Sequence, residues 1–149
     1  MPELPEVETV CRGLQGRLVG RRIRRLEQRR AGLRLPFPEN FPARLEGRRI
    51  EAIRRRAKYL LWDLGDSVLI VHLGMSGRLI FAENHEPGRH ENFIPGRHDH
   101  VIIETDDGTT VVFNDVRRFG LMVLAAAPEL ESHPLLAGLG PEPLGNQFN

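Results

Sequence analysis

Tyr59-Leu60-Leu61-Trp62-Asp63-Leu64-Gly65-Asp66-Ser67-Val68-Leu69-Ile70-Val71-His72-Leu73 decides the architecture. Two dense apolar runs, Tyr59–Leu64 and Val68–Leu73, flank the turn residues Gly65-Asp66, a pattern that predicts a β-hairpin. Short β-like runs continue on both sides. Ile23 and Leu26, then Ile50 and Ile53, lie among arginines upstream. Leu79–Phe81, Val101–Glu104, Thr109–Phe113 and Leu121–Leu124 follow downstream, with Asp106-Asp107-Gly108 as another tight turn. Before the first strand, Val7, Val10, Cys11, Leu14 and Leu18 form one apolar stripe of a helix from about residue 5 to 18. Pro5 and Glu6 suit its first turn and Gly20 its stop. The expected fold is mainly β with flanking helices: a two-sheet β-sandwich of about eight strands preceded by an N-terminal α-helix. Pro36, Pro38 and Pro42 mark an irregular stretch, residues 82–97 read as a flexible loop, and residues 128–133 as a short helix.

A chain of 149 residues is one domain by length, and 40% hydrophobic with 28% charged residues is ordinary for a globular protein. No apolar run approaches the roughly 18–20 residues that span a bilayer. Acids crowd the first turn, so the start does not read as a signal peptide. Cys11 is the only cysteine and falls on the helix stripe, which excludes an intrachain disulfide and a cysteine-based zinc site. An intracellular protein is expected.

A net charge of +1 hides an asymmetry. Residues 1–60 hold 16 Lys+Arg against 7 Asp+Glu, leaving 5 against 13 for the rest of the chain. Lys58 is the single lysine; the other 20 cations are arginines. Guanidinium groups bind phosphate oxygens bidentately, so the imbalance favours a polyanionic partner. Many of these arginines are expected on wet strand faces, paired with Glu27, Glu46 and Glu51.

Pro2 is the first candidate for chemistry. When Met1 is trimmed, Pro2 carries a free secondary amine with a reference pKa of roughly 7.7–8.0, so on the order of a tenth is nucleophilic at pH 7. Glu3 beside it is placed to exchange a proton in the same pocket. His98 and His100 alternate onto one strand face but lack a third ligand at a sensible spacing, and no metal site is expected.

Six segments then occur in order: Met1–Thr9, Arg55-Arg56-Ala57-Lys58-Tyr59-Leu60-Leu61, His72-Leu73-Gly74-Met75-Ser76-Gly77-Arg78-Leu79, His98-Asp99-His100-Val101, Asn114-Asp115-Val116-Arg117-Arg118-Phe119-Gly120 and Leu139-Gly140-Pro141-Glu142-Pro143-Leu144. Together they resemble the N-terminal domain of bacterial formamidopyrimidine-DNA glycosylase, from end to end of the chain. The resemblance implies base-excision repair by a bifunctional glycosylase and abasic-site lyase that removes oxidised purines such as 8-oxoguanine and formamidopyrimidines. It implies Pro2 as the nucleophile at C1′ of the damaged nucleoside and Glu3 as the acid that opens the sugar ring. Lys58 then grips the phosphate beside the lesion, and Glu6 is a further acid near the lesion pocket.

A base inside a duplex must be extruded before it is reached, and the gap it leaves must be filled. Met75, Arg117 and Phe119 match the family's gap-filling residues, and His72 and Arg118 are expected phosphate contacts. The implied partner is double-stranded DNA containing oxidised purines or abasic sites, handled by a monomer in the bacterial cytoplasm at the nucleoid. No cofactor is expected in this chain. The family's structural zinc belongs to a second half, with a helix–two-turn–helix module, that these residues do not contain. Residues 1–138 are expected to be the sandwich domain and 139–149 the start of a linker. Val116 stands where the family usually has proline, and Arg97 where lysine is common. A non-catalytic DNA-binding remnant of the fold and an N-terminal-proline tautomerase are the competing functions.

Overall fold

The computed structural model describes residues 3–82 and 93–139. Helix α1 spans Leu4–Leu18 and buries Val7, Cys11, Leu14 and Leu18, the stripe expected from spacing. It stops where Val19 becomes extended and Gly20 takes a φ of 90°, a conformation glycine adopts without a Cβ penalty. Eight strands follow among the described residues: β1 (Ile23–Gln28), β2 (Ala52–Arg56), β3 (Tyr59–Asp63), β4 (Ser67–His72), β5 (Gly77–Phe81), β6 (Asp99–Thr105), β7 (Thr110–Asp115) and β8 (Leu121–Ala126). They form two four-stranded antiparallel sheets, ordered β1-β6-β7-β5 and β2-β3-β4-β8. The Gly65-Asp66 turn joins β3 to β4 as a hairpin, with Leu64 N–H bonded to Ser67 O at 2.9 Å.

Alternation along the strands explains the sandwich. Ile53, Leu60, Trp62, Leu69, Val71 and Met122 from one sheet share a core with Ile23, Leu26, Val101, Ile103, Val111 and Phe113 from the other. The α1 stripe seals this core. The intervening residues Leu61, Val68, Ile70 and Ala125 face the opposite way. There they pack under a 3-10 turn, η1 (Ala127–Ser132), and a short helix α3 (Pro134–Ala137), through Leu130 and Leu136. Burial on both faces is why β3 and β4 read as continuous apolar runs. Each such side chain contributes about 1.5–3 kcal/mol on burial.

One expectation is corrected. The proline stretch holds a short helix, α2 (Phe41–Leu45), with Pro42 in the first turn where its missing N–H costs nothing. Phe41 and Leu45 are fully buried, so tertiary packing stabilises a helix too short to read from periodicity. The short helix expected at 128–133 is present as the 3-10 helix η1, and α3 follows it. Most of the expected loop 82–97, and residues 140–149, lie outside the described residues.

Candidate nucleic-acid interface

Strand register brings the candidate residues to one end of the sandwich. At that end Tyr59 pairs with His72 and His72 with Leu121 in one sheet, while Gly77 pairs with Asp115 in the other. The β4–β5 and β7–β8 connections both cross between sheets there, carrying Met75 and residues 116–120. The β2–β3 turn, Ala57-Lys58, opens at the same end. Lys58, His72, Met75, Arg117, Arg118 and Phe119 are thus gathered by topology, although they span 62 positions of sequence.

The two crossing loops are locked to each other. Gly74 has a φ of 65°, and a Cβ there would lie 2.5 Å from the Phe119 carbonyl carbon. Gly120 is hemmed in by Asp115 Oδ2, His72 O and Phe113, each 2.8 Å from a Cβ position. The fully buried Asp115 is the hub. Its Oδ1 accepts from Ser76 Oγ at 2.7 Å and from Arg118 N–H at 3.0 Å; its Oδ2 accepts from Gly120 N–H at 2.8 Å. Ser76 Oγ accepts in turn from Arg117 N–H at 2.9 Å. These bonds hold Arg118 at a φ of 62°, a region costly for a residue with a Cβ. Held this way, Met75 (46% exposed) and Phe119 (45% exposed) stand in solvent as apolar tips. The Arg117 guanidinium lies 5.3 Å from the Phe119 ring centroid, within cation–π range.

Lys58 has a different support. The Arg55 side chain is only 3% exposed; its Nε donates to Glu8 Oε1 of α1 at 2.7 Å. Its Nη1 donates to the carbonyl of Ala57 at 2.7 Å, and Ala57 sits at a φ of 52° directly before Lys58. Arg55, first by its hydrogen bond, and Arg12 hold the Glu8 carboxyl below its ordinary pKa against the opposing effect of burial. Arg55 therefore ties the Lys58 turn to the helix whose first residues carry the candidate acids. Glu6 Oε1 accepts from the backbone N–H of Glu3 at 3.1 Å, a capping contact that accounts for Glu6 without catalysis. Pro2 lies outside the described residues.

His72 is buried beside these groups, edge-on to Tyr59 with ring centroids 4.9 Å apart. Gly74 N–H donates to His72 Nδ1 at 3.0 Å, so the neutral ring carries its proton on Nε2. Burial holds His72 below the usual imidazole pKa, and Arg34 and Lys58 push the same way. His100, whose Nε2 lies 2.7 Å from Asp115 O, is also lowered, chiefly by burial.

Ion pairing sorts the arginines. Arg21 faces Asp106 and Asp107, Arg24 faces Glu104, Arg25 and Arg29 share Glu27, Arg48 meets Asp66 and Arg56 meets Glu131. Glu46, expected to pair with arginine, instead accepts from Leu26 N–H. Among the described residues Lys58, Arg117, Arg118, Arg30 and Arg34 form no ion pair, nor do Arg22, Arg44, Arg49, Arg54, Arg78 and Arg97; what sets the first five apart is their position. All five lie at the loop end, leaving it positive. Arg30 and Arg34 were not singled out in the sequence, because nothing local distinguishes them from the neutralised arginines. No group of three or more His, Cys, Asp or Glu among the described residues is placed to hold a metal ion. No helix among the described residues is long and apolar enough to cross a membrane.

Comparison with known proteins agrees with this geometry. The family model for the formamidopyrimidine-DNA glycosylase N-terminal domain matches residues 1–122. The formamidopyrimidine-DNA glycosylase of Azorhizobium caulinodans is 57% identical across 100% of this chain and 53% of its own length. That of Beijerinckia indica is 54% identical across 99% of this chain and 52% of its own length. The chain thus spans about half the length of the curated relatives it matches. The Lactococcus lactis Fpg in complex with DNA containing an abasic site superposes with a TM-score of 0.81 at 33% identity, covering 95% of this chain and 50% of that one. The same enzyme with DNA containing Fapy-dG gives the same score and identity over 94% of this chain and 50% of that one.

Proposed function

Since the chain belongs to the formamidopyrimidine-DNA glycosylase N-terminal domain family, we propose that it acts in base-excision repair as the catalytic half of a bifunctional DNA glycosylase and abasic-site lyase. The observation that carries this reading is the convergence of Lys58, His72, Met75, Arg117, Arg118 and Phe119 on one positively charged, apolar-tipped end. Damaged duplex DNA is the substrate, bearing 8-oxoguanine, formamidopyrimidines or an abasic site.

Chemistry begins at Pro2. Its neutral amine attacks C1′, the bond from C1′ to the base breaks, and the base leaves with a proton. Glu3 protonates the ring oxygen as the sugar opens, and nitrogen and C1′ become an iminium. That cation acidifies the C2′ proton, so β-elimination expels the 3′ phosphate; δ-elimination then expels the 5′ phosphate. Water releases the sugar remnant and regenerates the amine. Lys58 and His72, the latter through its Nε2–H, hold phosphates beside the lesion, with Arg118 nearby. Arg117 hydrogen-bonds the orphaned base, Phe119 wedges between neighbouring pairs, and Met75 fills the void on the lesion strand. Glu6 lines the lesion pocket only in so far as its cap leaves an oxygen free.

We read residues 1–138 as the sandwich domain and residues 139–149 as linker. The family's zinc belongs to a C-terminal four-cysteine finger; the single cysteine here, Cys11, is buried in α1 and does not fit that group. We place the protein as a monomer in a bacterial cytoplasm.

Borohydride trapping on abasic-site and 8-oxoguanine duplexes tests the proposal. On the abasic-site duplex a slowly formed covalent adduct that disappears in Pro2→Gly is expected, with little or none on 8-oxoguanine from these residues alone, and an intact mass showing Met1 removed. DNA binding without an adduct, from protein whose mass shows Pro2 unblocked, would leave these residues a DNA-holding role alone. Enol turnover without an adduct would support the tautomerase alternative.

A further inference from the structure

The connection between β1 and α2, residues 29–37, is built as tightly as the wedge loops and no function is attached to it. Gly32 bridges to Pro36, Leu33 N–H donates to Leu35 O at 3.0 Å, and Phe37 N–H donates to Ala31 O at 2.9 Å. A Cβ on Gly32 would fall 2.6 Å from Leu35 O and Pro36 Cα, so this compact turn requires glycine there. Phe37 is buried and stacks on Phe41 at 5.5 Å, and Leu33 packs on the core. The strap is also tied to the site: Arg29 N–H donates to His100 O at 2.9 Å, and Arg34 N–H to Gly120 O at 3.1 Å. The second bond lands on the residue that ends the Arg117–Phe119 loop. Arg30 and Arg34 are among the residues the strap leaves exposed, with Arg29, Ala31, Leu35 and Pro36.

We infer that this strap is a third wall of the nucleic-acid interface, with Arg34 and Arg30 gripping backbone phosphates alongside the wedge loops; the inference rests on the DNA-repair reading above. Both guanidiniums lack an ion-pair partner among the described residues, whereas Arg24 and Arg48 elsewhere on the surface are neutralised. Their charges are felt at the site, where Arg34 disfavours protonation of His72 and Arg30 that of His100. A polyanion with regularly spaced charges suits two exposed guanidiniums that continue an existing cationic end. An acidic protein segment is the competing occupant.

The test is the salt dependence of binding by the 149-residue chain to a duplex with a tetrahydrofuran abasic-site analogue, followed by fluorescence anisotropy. Each phosphate contact removed lowers the slope of log K against log salt by about 0.9. Arg34→Ala is expected to lower it by about that amount and to weaken low-salt binding roughly three- to tenfold, and adding Arg30→Ala to do so again. Arg34→Lys keeps the charge and should retain the slope, separating phosphate contact from distortion of the strap. Arg24→Ala and Arg48→Ala should leave slope and affinity unchanged. If Lys58→Ala and Arg117→Ala weaken binding but the strap variants do not, the strap inference fails and the DNA reading stands. Loss of an acidic peptide's binding in Arg34→Ala, with DNA binding intact, would also overturn it. Absence of salt-dependent DNA binding by the parent chain overturns both.

Discussion

The wedge loops and the Lys58 turn lie at the same end of the sandwich, yet they are braced by opposite chemistry. Under the wedge loops a buried carboxylate, Asp115, accepts two backbone N–H groups and the Ser76 hydroxyl. Under the Lys58 turn a buried guanidinium, Arg55, donates to the Ala57 carbonyl and to Glu8. The first brace sits within one network of adjoining loops and satisfies groups that have no alternative. The second joins two elements far apart in sequence, and its acid is shared with Arg12 and still touches solvent. Both hold a non-glycine residue at positive φ, Arg118 in one case and Ala57 in the other. Positive φ costs a residue with a Cβ roughly 1–2 kcal/mol, so neither loop shape persists without its brace. The exposed side chains proposed to meet DNA thus stand on buried polar anchors.

The sharpest way to break the comparison is to remove each anchor. Asp115→Ala strands Gly120 N–H, Arg118 N–H and the Ser76 hydroxyl. Hydrogen bonds to a charged group are worth about 1.5–3 kcal/mol each, with partial relaxation expected, so the loss should be about 3–5 kcal/mol in urea unfolding. That is a large share of the roughly 5–15 kcal/mol that holds a domain together. Asp115→Asn keeps the volume but turns one oxygen into a donor facing a donor, and should cost less. Amide exchange at Arg118 and Gly120 should accelerate in both variants before global unfolding. Unchanged exchange at those amides would show that Asp115 is not the hub.

Arg55→Met is the matching experiment and should cost less, about 1–3 kcal/mol. Breaking a fully buried pair costs about 3–5 kcal/mol, but here Glu8 retains Arg12 and access to water. Its distinctive signature is local. The Lys58 turn should lose phosphate grip, raising the Kd for duplex DNA, while the wedge loops keep their amide protection. Equal loosening at both sites would mean that the two braces are one.

The fold was legible because its largest signals are periodic. The α1 stripe, the Tyr59–Leu73 hairpin and the later strands each follow from spacing alone. Helix α2 was not, because the prolines at 36, 38 and 42 and a five-residue length hide an element stabilised by burying Phe41 and Leu45. At the site, Lys58, Met75, Arg117 and Phe119 were legible only as an ordered set. Singly, Met75 reads as a turn residue between strands and Phe119 as a core aromatic. The anchors were harder still. Asp115 ends an apolar strand, Val111-Val112-Phe113-Asn114-Asp115, and an acid there hints at a buried acceptor, but nothing local says for which donors. Arg55 sits between two other arginines, and only the fold reveals that it turns inward while Arg54 stays exposed. Arg30 and Arg34 gain meaning only from the fold, which ties their strap to His100 and Gly120.

Acid distinguishes the two regions at smaller cost. Burial lowers the folded-state pKa of His72 and His100 below the ordinary 6.5. As pH falls through about 6.5 the unfolded chain takes up protons that the folded chain refuses, so stability falls and then levels off below the folded-state values. Each histidine contributes a slope of at most about 1.4 kcal/mol per pH unit in that window. His72→Asn keeps an acceptor where Nδ1 meets Gly74 N–H and removes one titration. Unfolding midpoints between pH 7 and pH 5 should therefore fall less steeply in that variant, and a parent chain whose midpoint rose on acidification would contradict the sign. Glu8 acts in another window: its lowered pKa gives stability present above about 4.5 and lost as pH drops further.

The smallest effect on folding should come from the residues proposed to matter most to DNA. Phe119 and Met75 are nearly half exposed, and substitutions at such positions usually stay within about 0.5 kcal/mol. Phe119→Ala and Met75→Ala should unfold like the parent chain while losing preference for an abasic-site duplex over an intact one, because an apolar wedge is useful only where a base has left the stack. Asp115→Asn should lose the same preference at a measurable cost in stability. The pair of results separates tip from anchor: a tip changes binding alone, an anchor changes both. A Phe119→Ala variant with a markedly lower unfolding midpoint would instead place that ring in the core, and the division between exposed tips and buried braces would not hold.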